Sequence, residues 1–151
     1  MNNLRVGLIG TGSFGPNFAP FITEVADLVA VCDPNPAGRA NFAKQTGLQL
    51  PGFDNHEQLL DSIDLDAVVL CSPNFTHKAI TVAAAQRGKH VFCEKAMATS
   101  VPDCWEMIQA CEAAQVRLMV GHKRRLRPPW ARMIELREEL GEVVAITSCG
   151  Y

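Results

Sequence analysis

The chain has 151 residues with 14 Lys and Arg against 16 Asp and Glu, a formal net charge of −2. That length suits one compact domain with little left over, and that charge gives no overall pull toward nucleic acid or a membrane surface. With 48% hydrophobic and 20% charged residues, the composition excludes a disordered chain, and no apolar run approaches the ~20 residues of a membrane span.

Residues 1–5 lead straight into a strand-like segment, without the basic and apolar regions of a secretion signal, so a cytoplasmic protein is expected. From there, short apolar runs alternate with helix-like stretches, the pattern of a parallel α/β sheet. A strand at 4–9 is followed by a helix at 14–24, in which Pro16 suits the first turn and Pro20 removes an interior backbone bond, predicting a kink or shortening. Next come a strand at 28–32, a helix at 37–45, a weaker strand near 48–50 and a helix at 56–62. The strand at 67–71 precedes a helix at 76–87, with Thr76 as its N-cap and Gly88 ending it. A strand at 90–93 leads to a helix at 102–115, capped by Ser100 with Pro102 in its first turn. A strand at 117–120, a helix at 129–140 closed by Gly141, and a strand-like run at 142–149 complete the chain. The strands are rich in Val, Ile and Leu and mostly do not alternate, as strands buried on both faces should be.

The six cysteines, Cys32, Cys71, Cys93, Cys104, Cys111 and Cys149, form no C-x-x-C pair. The first three end apolar runs and Cys104 and Cys111 share a helical stripe, so they read as packing residues and no metal site is expected.

The chemistry is concentrated after the first strand. Gly10-Thr11-Gly12-Ser13-Phe14-Gly15 fits G-x-G-x-x-G between a strand and a helix. The first glycine permits a tight turn, the second lets backbone approach a pyrophosphate, and the third lets helix pack on strand. The helix N-terminus adds unpaired N–H groups and partial positive charge. Asp33 ends the second strand 23 residues after Gly10, near the ~20 expected of a ribose-binding acid. Its carboxylate suits two ribose hydroxyls and repels a 2′-phosphate, which favours NAD. Arg39, six residues on, keeps NADP open as an alternative. The fold expected is a Rossmann-like, doubly wound parallel sheet.

Two later strand ends also carry polar residues where open α/β sheets bind ligands: Ser72-Pro73-Asn74-Phe75-Thr76-His77 and Glu94-Lys95-Ala96. A lysine among apolar strand ends suits proton transfer near neutrality, although Lys95 alone reads equally as a surface residue. His77 alone reads as capping or packing. Seven of the fourteen basic residues fall in 117–137, with no nucleic-acid reader motif; a basic loop beside an anionic ligand and a solvated face both explain them.

Taken with Gly121-His122-Lys123-Arg124-Arg125, these segments resemble the Gfo/Idh/MocA oxidoreductases, the family of glucose–fructose oxidoreductase and inositol dehydrogenase. One departure is Ala96, where the family's proline follows Glu-Lys; it bears on loop rigidity and not on the two side chains. The resemblance implies that Ser72, Pro73, Asn74 and His77 serve the cofactor opposite the glycine turn and that Glu94 holds the nicotinamide-ribose end. It further implies that Lys95 works beside the nicotinamide on a substrate hydroxyl, and that Arg125 approaches the cleft. Family members continue into a second α/β domain that supplies the substrate pocket, an oligomer interface and a further catalytic residue. On that basis residues 1–122 are the NAD(P)-binding domain and 123–151 the connecting helix and first strand of a substrate domain otherwise absent, in a fragment or a natural truncation. An unpaired strand at 142–149 predicts association through it, and a homo-oligomer is expected. The implied activity is hydride transfer to or from a hydroxyl-bearing carbon of a sugar, polyol or cyclitol. The alternatives are a non-catalytic NAD(H)-binding module or subunit and an unliganded structural domain.

Overall fold

The computed structural model describes residues 3–142 and 144. Residues as far as Gly121 form one compact unit and those from His122 a second. In the first unit the elements run β1 (Arg5–Ile9), α1 (Gly15–Val25), β2 (Asp27–Cys32), α2 (Pro36–Thr46), β3 (Gly52–Phe53), α3 (His56–Ser62), β4 (Ala67–Leu70), α4 (His77–Gln86), β5 (His90–Cys93), α5 (Val101–Ala113) and β6 (Leu118–Val120). All pairings are parallel, in the order β3-β2-β1-β4-β5-β6. The chain therefore winds outward from β1 to one side, then returns to start again at β4. Ligand crevices form at such reversals, beyond the carboxyl ends of the strands.

Burial on both faces follows from the strand sequences. In β1, Leu8 and Ile9 point to opposite faces and both are buried. Leu8 joins Ala19, Ile22, Leu28 and Phe42 in one core. Ile9 joins Leu59, Leu70, Ile80, Val91 and Met107 in the other. Gly7 makes room for the second core, because a Cβ there would lie 3.1 Å from Leu65 and 3.2 Å from Leu59.

The helix starts are chemically specified. Asn35 Oδ1 accepts from the N–H of Ala37 (3.0 Å), Asn55 Oδ1 from Glu57 (2.7 Å) and Ser100 Oγ from Asp103 (3.2 Å). With Asn35 capping and Pro36 in the first turn, α2 begins one residue before the expected 37. Gly88 takes φ +69° just past α4, as its expected role requires.

Five expectations need correction or restriction. The helix α1 is not shortened at Pro20, which is exposed, so the carbonyl it leaves unpaired can be served by solvent. Thr76 does not cap α4. Residues Asn74–Thr76 tighten into a 3₁₀ turn instead, and the Thr76 hydroxyl turns back to Pro73 O and Ser72 Oγ, both at 2.7 Å. The third strand is Gly52–Phe53 rather than 48–50, because pairing with β2 starts where Val31 N donates to Pro51 O (3.0 Å). The helix expected at 129–140 is two, α6 (Pro128–Glu135) and α7 (Arg137–Leu140), separated by a turn at Leu136. The strand expected at 142–149, and association through it, lie outside the described residues except for positions 142 and 144.

Among the described residues the second unit contains a 3₁₀ turn at Lys123–Leu126 followed by α6 and α7. Arg132 and Glu135 pair across α6 at 3.0 Å. Among the described residues no helix is long and apolar enough to cross a membrane.

Leu59 is fully buried against the space that Gly7 leaves. Leu59→Ala is expected to destabilise the domain by ~2–5 kcal/mol in urea unfolding, with the upper half reached if α3 cannot collapse onto β1.

Candidate functional site

The strand ends of β1, β2, β4 and β5 open into one cleft of about 1100 Å³. Its walls bring together Gly10, Gly12, Ser13 and Phe14 from the turn after β1, and Asp33 from the end of β2. Ser72, Pro73 and Asn74 after β4, and Glu94 and Lys95 after β5, complete it. Ten of the residues expected from sequence therefore share one surface. Sequence reasoning missed Asp54, Asn55 and His56, which also line the cleft. Placing the third strand at 48–50 concealed that they follow its true end at Phe53. Burial is the main cause holding the His56 imidazole below its ordinary pKa.

Each glycine of the turn has a distinct geometric reason. Gly10 has φ +99°, and a Cβ on it would lie 2.5 Å from Cys71 C and Ser72 N. At Gly15 a Cβ would lie 2.3 Å from the Gly10 carbonyl oxygen. Those two positions are closed by the protein itself. Around Gly12 nothing lies within 4 Å of where a Cβ would be, so bare backbone faces open cleft. No side chain caps the start of α1, which leaves its positive dipole end to a ligand. The bare turn and uncapped helix fit an anionic group such as a pyrophosphate.

Asp33 is held before any ligand arrives. Its Oδ2 accepts from Thr11 N (2.8 Å) and its Oδ1 from Asn35 N (2.9 Å). Each oxygen retains a second lone pair, and the residue is only half-buried, so it can still accept from hydroxyls. Arg39 donates to the Asp33 carbonyl, and its stem lies against Gly52, where a Cβ would meet Cδ at 3.1 Å.

At the other end, Lys95 Nζ lies 5.8 Å from the centroid of the Phe14 ring, within cation–π range. Lys95 thus spans from the β5 loop to the glycine turn. Glu94 is buried and accepts from the Lys95 N–H through Oε2 (3.0 Å). A Cβ at Gly121 would lie 3.0 Å from Glu94 Oε1, so the chain passes close beside this carboxylate. Burial, reinforced by Glu94, pushes the Cys71 and Cys93 thiols up to about 12. Burial next to Asp33 takes Cys32 to about 11. All three stay protonated near neutrality and are not nucleophiles. Among the described residues no group of His, Cys, Asp and Glu is arranged to hold a metal ion.

Three expected contacts, Thr11, Gly15 and His77, are not on the cleft wall. Thr11 and Gly15 are buried beneath the turn, where they shape it. His77 is fully buried behind the wall, because both ring nitrogens are occupied by backbone carbonyls. Arg125 lies exposed in the 3₁₀ turn of the second unit.

The contrast among the glycines is directly testable by unfolding. Gly10→Ala should cost roughly 3 kcal/mol or more, since both the left-handed backbone and the close approach forbid a Cβ. Gly12→Ala should change stability by less than ~0.5 kcal/mol.

Comparison with known proteins agrees with this geometry. Residues 4–122 match an oxidoreductase family with an NAD-binding Rossmann fold. The chain is 35% identical over 119 residues to a 2,7-anhydro-N-acetylneuraminate hydratase of Escherichia coli, covering 79% of this chain and 32% of that protein. It is 37% identical over 137 residues to inositol 2-dehydrogenase 3 of Saccharopolyspora erythraea, covering 88% and 40%. The structure of the WlbA dehydrogenase from Bordetella pertussis, in complex with NADH and UDP-GlcNAcA, superposes with a TM-score of 0.84 at 32% identity, covering 91% of this chain and 42% of that one. The chain thus spans about a third to two fifths of the length of these relatives. It belongs to the Gfo/Idh/MocA family of oxidoreductases with an NAD-binding Rossmann fold.

Proposed function

We propose that the chain is the cofactor-binding half of a nicotinamide-dependent oxidoreductase acting at a hydroxyl-bearing carbon of a sugar, polyol or cyclitol. The observation that carries this reading is the single cleft uniting an open glycine turn, a fixed strand-end acid and a lysine. The relatives support the substrate class, since they include an inositol dehydrogenase and a dehydrogenase solved with UDP-GlcNAcA.

In this reading the Gly12 backbone and the start of α1 receive the pyrophosphate. Asp33, preset by Thr11 and Asn35, accepts from the adenosine ribose hydroxyls. Ser72, Pro73 and Asn74 form the facing wall, and Glu94 serves the nicotinamide-ribose end. NAD, when bound, supplies the hydride-accepting or hydride-donating carbon. Lys95 holds the substrate hydroxyl and moves its proton at Nζ, where a positioned acid or base is worth ~10²–10⁴ in rate. NAD rather than NADP is favoured because Asp33 opposes a 2′-phosphate and the nearby Arg39 cation is engaged with the Asp33 carbonyl.

Residues 1–122 are the nucleotide domain in this proposal, and 123–151 lead into a substrate domain. The greater length of the relatives supports that division. A cytoplasmic setting and assembly into a homo-oligomer go with it, as the family resemblance implies.

Fluorescence titration of the chain should give an NADH affinity at least tenfold above that for NADPH, about 1.4 kcal/mol. Asp33→Ala should lose roughly tenfold toward NADH and erase the preference; tighter binding of NADPH by the native chain would reverse the cofactor assignment. In a longer enzyme carrying this sequence, Lys95→Met should lower kcat by ~10²-fold or more while leaving the NADH Kd within a factor of about two. Turnover that survives Lys95→Met would remove the lysine from the chemistry.

A further inference from the structure

The loops after β4 and β5 carry opposite parts of the cleft, Ser72-Pro73-Asn74 on one and Glu94-Lys95 on the other. Behind them sits His77, the first residue of α4 and 0% exposed. Its Nε2 lies 2.9 Å from the carbonyl oxygen of Ser72 and its Nδ1 3.0 Å from that of Ala96. Cys93 Sγ lies 3.1 Å from the same Nδ1. Among the described residues no other side chain hydrogen-bonds to both loops.

A histidine and a cysteine at 3.1 Å invite a nucleophilic reading, but both are fully buried and the thiol is pushed up to about 12 by burial and by Glu94. Cys93 keeps its hydrogen and donates it to the Glu94 carbonyl (3.3 Å), which leaves Nδ1 of His77 available to donate to Ala96. The ring is a structural donor in turn: with one proton it serves one carbonyl, and with two it serves both.

We propose that His77 is a positioning residue that ties the Ser72 loop to the Lys95 loop and so sets the separation between the cofactor wall and the lysine. The proposal rests on the cofactor reading above and adds a residue with no contact to the cleft. Ser72 and Ala96 sit directly beside the groups that matter, since Ala96 follows Lys95 and Ser72 precedes Pro73-Asn74. Because the tie is buried, water cannot take its place when the ring is removed, and two carbonyls are left without it.

The test compares the native chain with His77→Gln and His77→Leu by titration with NADH and with ADP, which lacks the nicotinamide half. Gln keeps one donor and one acceptor at similar reach; Leu keeps neither. The expected result is NADH binding roughly tenfold weaker in folded His77→Leu, within about threefold of native in His77→Gln, and ADP binding within about twofold in both. Unchanged NADH affinity in folded His77→Leu overturns the proposal, and so does an equal loss toward ADP, which marks general damage. If His77→Leu does not fold, the ¹⁵N–¹H imidazole spectrum of the native chain decides. A slowly exchanging ring N–H on His77 supports the tie, and a ring exchanging freely with solvent refutes it. A native chain that binds no NADH defeats the cofactor reading instead, and the imidazole spectrum still judges the tie by itself.

Discussion

The structure turns on the contact between the backbone of Gly10 and the backbone of Cys71 and Ser72, where even one added carbon would sit 2.5 Å away. These two strand ends flank the reversal of the sheet between β1 and β4. Bringing them this close forces the glycine turn upward and places the start of α1 over the carboxyl end of the sheet. Gly15 completes the arrangement by letting α1 rest on the Gly10 carbonyl. With those approaches fixed, Gly12 is left as the one member of the motif whose missing side chain benefits nothing in the protein itself. A site for an external anion follows from packing rather than from a dedicated binding side chain.

Polar groups around the cleft are held in place by backbone. Asp33 is gripped by two N–H donors, Glu94 by the N–H of Lys95, and His77 sits between two carbonyls. Such anchoring fixes orientation without spending the side chain's whole hydrogen-bonding capacity. Lys95 differs: among the described residues its ammonium faces the Phe14 ring at 5.8 Å, a weak contact. The cleft therefore combines polar groups fixed by backbone with a lightly held lysine.

Much of this was legible in the sequence because the relevant signals are local. The glycine spacing, the acid ending β2 and the non-alternating strands each reflect a constraint that neighbouring residues state directly. What escaped depends on contacts distant in the chain. Thr76 carries a good capping side chain, yet the hydroxyl of Ser72 and the carbonyl of Pro73 claim it. The third strand is two residues long and set by pairing with Val31 and Cys32 rather than by its own apolar content, which hid the role of Asp54, Asn55 and His56. His77 by itself reads as capping or packing and is tied to the cofactor only through the family resemblance, and the partner that buries it comes from a loop nineteen residues on.

In the proposed function this cleft, and no other surface, receives the nicotinamide dinucleotide along its length. Amide chemical-shift mapping of the ¹⁵N-labelled chain during an NADH titration tests it most directly. The account requires saturable shifts at Gly10, Gly12, Asp33, Asn74 and Lys95 with a single dissociation constant. Absence of shifts at these residues, or saturable shifts confined to residues outside the cleft, would contradict it.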